Sequence, residues 1–173
     1  MLTVPHTLVG SAIGLAVKNT PCAPALAFGL GWLSHYALDT VPHWERLYKP
    51  HDEGNFATDR PAKEWPRHML VQAVLDVIIA GVIVSYIVVS SGGFSWNSPV
   101  LWGAIGSFLP DFLGNVPFWN RTLQRLPFFK QEYALHSSVH ITPDSQKRYP
   151  RYYGLLTQIV AVVLSLAVII RYH

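Results

Sequence analysis

The chain has 173 residues, half of them hydrophobic and only 13% charged, with a net charge of +3. That length allows one ordinary domain, and a charged fraction about half the ~25% usual in soluble domains points to lipid as the solvent for much of the surface. A single cysteine, Cys22, excludes an intramolecular disulfide framework and reads as a small apolar filler.

In chain order, the first expected element is a short helix over 5–17. It lacks the basic leader that a signal peptide would place before its apolar run. Its Gly10 and Gly14, one turn apart, offer bare patches on which the next helix can lie. Pro21 to Leu38 carries no formal charge and predicts a second helix over 21–41, ended by Pro42. Met69 to Ser91 contains Asp76 as its one charged residue and predicts a spanning helix over 68–91. The glycine-bearing run Phe94 to Leu109 predicts a fourth, over 96–113, and the uncharged run Tyr152 to Ile170 a fifth, over 151–171. Residues 116–133 alternate large apolar side chains with Arg121, Arg125 and Lys130, which suits a helix lying in a membrane surface. The expected fold is therefore all-α: one helical bundle of about five transmembrane helices plus an interfacial helix, with loops at 44–67 and 114–150.

Eleven of the thirteen Lys and Arg residues fall in or beside those two loops, leaving Lys18 and Arg171 for the other face. The positive-inside rule then places the N-terminus and both loops in the cytoplasm and the C-terminus outside. Trp44, Trp65 and Trp119 at the inner ends and Trp96 at the outer end suit the headgroup layers.

On this topology nearly every metal- or acid-base-competent side chain is at the inner face. His6 opens the first helix. His35 and Asp39 lie one turn apart at the end of the second, and Pro42 turns His43 back toward them. His68, Gln72 and Asp76 form one stripe at the start of the third helix, and Asp111 closes the fourth. His136 and His140, in "HSSVH", are one turn apart if that stretch is helical. A carboxylate inside a membrane costs about 2.5 kcal/mol or more, and aspartate is too short to reach the interface, so Asp76 needs a partner. Imidazoles with carboxylates make a ligand set for zinc, manganese or non-haem iron.

The stretches "TVPHTLVGSAIG", "LGWLSHYALDTVPHWE" and "GAIGSFLPD", with the late histidine pair, resemble the small bacterial membrane-bound metal-dependent hydrolases. The likeness covers most of the chain. It implies an all-helical membrane protein with a His/Asp metal centre, distantly similar to zinc-dependent phospholipase C and P1-type nucleases. His35 and Asp39 match the first helical pair of those enzymes. His140 stands where an acid would be expected in the second, which leaves the number of metals open.

The function expected from these readings is hydrolysis of an ester or phosphoester bond of a lipid or membrane-proximal substrate by metal-activated water. One or two ions, most simply zinc, would be held by some of His6, His35, Asp39, His43, Asp111, His136 and His140. Asp76 or Asp111 would orient or deprotonate the water, while Arg121, Arg125 and His68 would contact substrate. The alternative is a non-catalytic membrane protein, structural, regulatory or metal-binding, whose His/Asp cluster fixes helix packing. Transport is disfavoured because the outer halves of the helices lack ionisable groups. No P-loop, nucleophile elbow, H-E-x-x-H or nucleic-acid module is present, so membrane lipids, not nucleic acid, are the expected partners. The oligomeric state is not encoded in any recognisable pattern.

Overall fold

The structure, a computed structural model, describes residues 3–43, 67–116, 119–139 and 151–172. Among the described residues it is all-helical: α1 Thr3–Ala16, α2 Ala23–Asp39, α3 Arg67–Ser90, α4 Pro99–Asn115, α5 Pro127–Val139 and α6 Arg151–Tyr172, with a single turn at Asn120–Leu123. The five expected helices are present, with ends shifted by up to three residues. Their boundaries follow from local chemistry. Two positive-φ glycines, Gly92 and Gly93, turn the chain after α3, where Gly93 donates its amide to the carbonyl of Val89 at 3.1 Å. Ser98 caps α4, its Oγ accepting the Leu101 amide at 3.4 Å, and Pro99 follows at a position where its missing N–H costs nothing.

Two sequence expectations change. The interfacial helix proposed over 116–133 is instead the turn at Asn120–Leu123 followed by α5, because Pro127 starts a helix there and carries it on to Val139. Cys22 fills no core: it is exposed at the α1–α2 turn, with φ 56° just before α2.

α3 and α6 are long and apolar enough to cross a membrane, with a mean hydropathy of 2.4 in each. Only 22% of each apolar window is buried, against the mostly buried core helix of a soluble protein. Their outer faces carry Val82, Tyr86, Leu164 and Ile170, all more than 60% exposed. α1, α2 and α4 have 14, 17 and 17 residues, short of the ~20 that a bilayer core asks of a spanning helix. Five spans are therefore met in length and hydropathy by two helices.

α1 sits at the centre, packed against α2, α3, α4 and α6, while α4 also packs against α2 and α5. Leu8, Ala12 and Leu15 of α1 join Ile87, Val88, Val100 and Ile169 in one apolar cluster at the end away from the histidines. The small-residue seam lies elsewhere than the sequence suggested. Gly10 and Gly14 face α4 rather than α2: a Cβ on Gly10 would strike the carbonyl of Gly103, and one on Gly14 the carbonyl of Pro99. Gly31 and Gly106 bring α2 equally close to α4, against Gly103 and Phe28. Helix α4, bare on two sides, is thus the element against which both other site-bearing helices close.

Candidate metal centre

The close approach of α1, α2 and α4 brings their inner ends to one point. His35 and Asp39 lie one turn apart on the buried face of α2, both fully buried. Asp111 comes from α4 immediately after Pro110, which has no N–H to give the carbonyl one turn back. His136 comes from α5, which docks against α2 and α4. One ligand atom from each of His35, Asp39, Asp111 and His136 lies within 4.8 Å of all the others.

The spacing inside this group is specific. His35 Nε2 and His136 Nε2 are 3.2 Å apart, and each is 3.1 Å from Asp39 Oδ2. Asp111 Oδ1 stands 3.7 Å from the first nitrogen and 3.6 Å from the second. A tetrahedral ion bonded at about 2.0–2.2 Å separates neighbouring donor atoms by roughly 3.3–3.5 Å. The observed edges straddle that value.

The tautomer of His35 is set as a metal site requires. Its Nδ1 donates to the carbonyl of Ser107 at 2.8 Å, so in the neutral ring Nε2 carries the lone pair that points into the group. This outer contact joins α2 to α4 one turn before Asp111. Two Nε2 atoms facing each other and one carboxylate oxygen at close range are poorly served by hydrogen bonds alone, since each proton can satisfy only one pair.

His6 lies beside the group. It is fully buried, its ring stacks on that of His35 with centroids 4.1 Å apart, and its Nε2 is 3.3 Å from Asp39 Oδ1. Its Nδ1 has no hydrogen-bond partner among the described residues. Asp39 therefore turns one oxygen to His35 and His136 and the other to His6.

The remaining sequence-predicted residues are placed as follows. His43 is buried after α2, with Nδ1 donating to the carbonyl of Val41 at 2.9 Å, and is outside the group of four. Thr157 Oγ1 donates to the carbonyl of Pro42, so α6 holds this turn. Asp76 is also outside the group, and its partner is a helix end: Oδ2 accepts the Thr3 amide at 2.6 Å, at the start of α1. Arg125 is exposed in the turn before α5. His140 and the side chains of His68 and Arg121 lie outside the described residues.

Capping by Asp76 has a measurable consequence. Asp76→Ala is expected to lower stability by about 1 kcal/mol, the usual worth of a lost helix cap, while the protein keeps its metal. Thermal unfolding in detergent with elemental analysis of the same sample checks both parts.

One buried acid escaped the sequence reading. Glu132, one turn before His136 on α5, is 7% exposed and accepts the Tyr36 hydroxyl at 2.9 Å. The signal is present in "EYALH", which repeats the four-residue spacing of "HYALD". Ser107 also escaped, because a backbone carbonyl has no sequence signature. Compared with family models, with curated proteins and with solved structures, the chain matches none, so the meaning of the centre rests on its own geometry.

Proposed function

We propose that the protein is an integral membrane protein with a divalent-cation centre, most simply zinc, and that it hydrolyses an ester or phosphoester bond of a lipid or membrane-proximal substrate. The observation that carries this reading is the convergence of His35 Nε2, His136 Nε2 and Asp39 Oδ2 within 3.2 Å of one another, with Asp111 Oδ1 at 3.6 and 3.7 Å from the two imidazoles and the His35 tautomer fixed by Ser107. A second ion would draw on Asp39 Oδ1 and His6.

A bound cation of this kind supplies Lewis acidity and lowers the pKa of water toward neutrality. The protein's own residues do the rest. His35 and Asp39 of α2 and His136 of α5 would hold the centre on two helices. Asp111 of α4, whose carboxylate stands farther from both imidazoles and is 16% exposed, is placed to orient a water and accept its proton. The basic residue Arg125, ahead of α5, is placed to attract an anionic headgroup. With most basic residues on the histidine side, that face is assigned to the cytoplasm.

The alternative is a non-catalytic bundle in which the His/Asp cluster fixes helix packing. It is favoured by one observation: the 3.1 Å contacts of Asp39 are themselves of hydrogen-bond length. Elemental analysis of detergent-purified protein separates the two readings. About one equivalent of zinc, manganese or iron is expected, and metal-free protein overturns the metal reading. Chelation provides the energetic check. Relative to free zinc at one hundred times Kd, it is expected to remove about 2.7 kcal/mol of stability, read as a fall in Tm. Release of headgroup or fatty acid from phospholipid vesicles by the metal-loaded protein tests hydrolysis.

A further inference from the structure

The helices differ in length, and the surplus lies on the side of the metal centre. At the opposite end α1 and α6 finish together, where Lys18 Nζ donates to the carbonyl of Tyr172 at 2.7 Å. Leu15 there packs with Ile87, Val88 and Ile169 in the same apolar cluster. On the histidine side, α1 begins at Thr3 against Asp76, nine residues into α3, and the turn after α2 meets Thr157, six residues into α6. At ~1.5 Å per residue, α3 and α6 run past the ends of α1 and α2 by about 13 and 9 Å. Their first turns carry Arg67, Tyr152 and Tyr153, residue types that settle at the headgroup layer. That layer is about 5–8 Å thick on each side of the hydrocarbon. With those turns at the interface, an overhang longer than the headgroup layer sets the centre at the top of the acyl chains, just below the glycerol and ester linkages of the surrounding lipids.

A groove leads to this depth from the side. It lies between α2 and α5, has a volume of about 290 Å³, and is lined by Trp32, Tyr36, Phe128, Gln131, Glu132 and Leu135. Its outer rim is apolar and open, with Phe128 65% and Leu135 54% exposed. Its floor is polar: Trp32 Nε1 donates to the Tyr36 hydroxyl at 3.1 Å, which in turn donates to Glu132. The Tyr36 ring stands edge-on to His35 and His136, with centroids 5.8 and 6.0 Å away, so one aromatic ring separates the groove from two metal ligands. An apolar mouth over a polar floor, just below linkage depth, matches the junction between acyl chain and glycerol.

We propose that this groove is the lateral access site for a bilayer phospholipid, which slides in from the leaflet with its upper acyl chain against Phe128 and Leu135 and its glycerol linkages toward Tyr36 and the metal centre. The inference rests on the membrane-hydrolase reading for its purpose, but its test does not depend on turnover. The full chain is reconstituted into phosphatidylethanolamine and phosphatidylglycerol vesicles containing a phosphatidylcholine with a diazirine near the top of one acyl chain. After photolysis, the labelled residues are mapped by mass spectrometry, and zinc content is measured on the same preparation. Labelling at Trp32, Tyr36, Phe128 and Leu135 is expected to exceed that at the outward residues Val82 and Ile170 severalfold. Leu135→Trp, at an exposed position, is expected to cut groove labelling at least threefold and leave Val82, Ile170 and zinc unchanged. Gln131→Trp is a second filling variant should the first fold poorly. Equal labelling of groove and outward faces in the wild type overturns the proposal even when zinc is present. Concentrated labelling in a zinc-free protein upholds the groove and sinks the hydrolase.

Discussion

Asp39→Ala is expected to abolish zinc binding at the His/Asp cluster. Asp39 Oδ2 stands 3.1 Å from both His35 Nε2 and His136 Nε2, and Oδ1 faces His6, so a single carboxylate ties ligands from three helices together. Loss of an outer partner alone weakens metal sites roughly 10–100-fold, and loss of this direct ligand should exceed the upper end of that range. Competition against a chromogenic chelator measures it. Asp39→Asn keeps the shape but removes the charge, and is expected to lose most of the affinity while retaining helix content by circular dichroism. A variant that binds zinc as tightly as the wild type would remove Asp39 from the centre, and with it the geometric case for a hydrolase.

Gly103→Ala is expected to have the largest effect on the fold. A methyl group there collides with the carbonyl of Gly10, which is backbone and has no rotamer with which to move aside. Overpacking of this kind costs about 1–3 kcal/mol, and the upper end applies because α1 and α4 must separate to relieve it. Gly31 of α2 packs on the same Gly103 backbone, so a displaced α4 also shifts Asp111 and the Ser107 carbonyl relative to His35, and metal affinity should fall together with Tm. The control is Gly81→Ala on α3, where an added Cβ meets nothing within 4 Å. Its helix propensity gain is roughly 0.5–1 kcal/mol, and no loss of metal is expected. Thermal unfolding and chelator competition on both variants decide whether close helix contact builds the site.

The two predictions link packing to chemistry. In a bilayer there is no hydrophobic force between helices, so contact depends on small residues that allow backbones to approach. Here that contact fixes the separation of His35 from Asp111, and a metal site tolerates little error in such a distance.

The sequence by itself determined the helical class, the apolar lengths of α3 and α6, and the gathering of His6, His35, Asp39 and Asp111 at one end of the bundle. These follow from hydropathy, helical period and loop charge, which are properties of neighbouring residues and need no tertiary contact. It also contained the four-residue pairing of His35 with Asp39, because one helical turn sets that spacing. Tertiary structure decided the rest. Which of seven candidate ligands meet depends on how helices distant in the chain rotate and close, and that is set by the seam of Gly10, Gly31 and Gly103. Asp76 is expected from sequence to act on the water, yet its level along the bundle brings it to the first amide of α1. Glu132 and Tyr36 meet because α5 docks beside α2, a contact between residues 96 apart that no local pattern encodes.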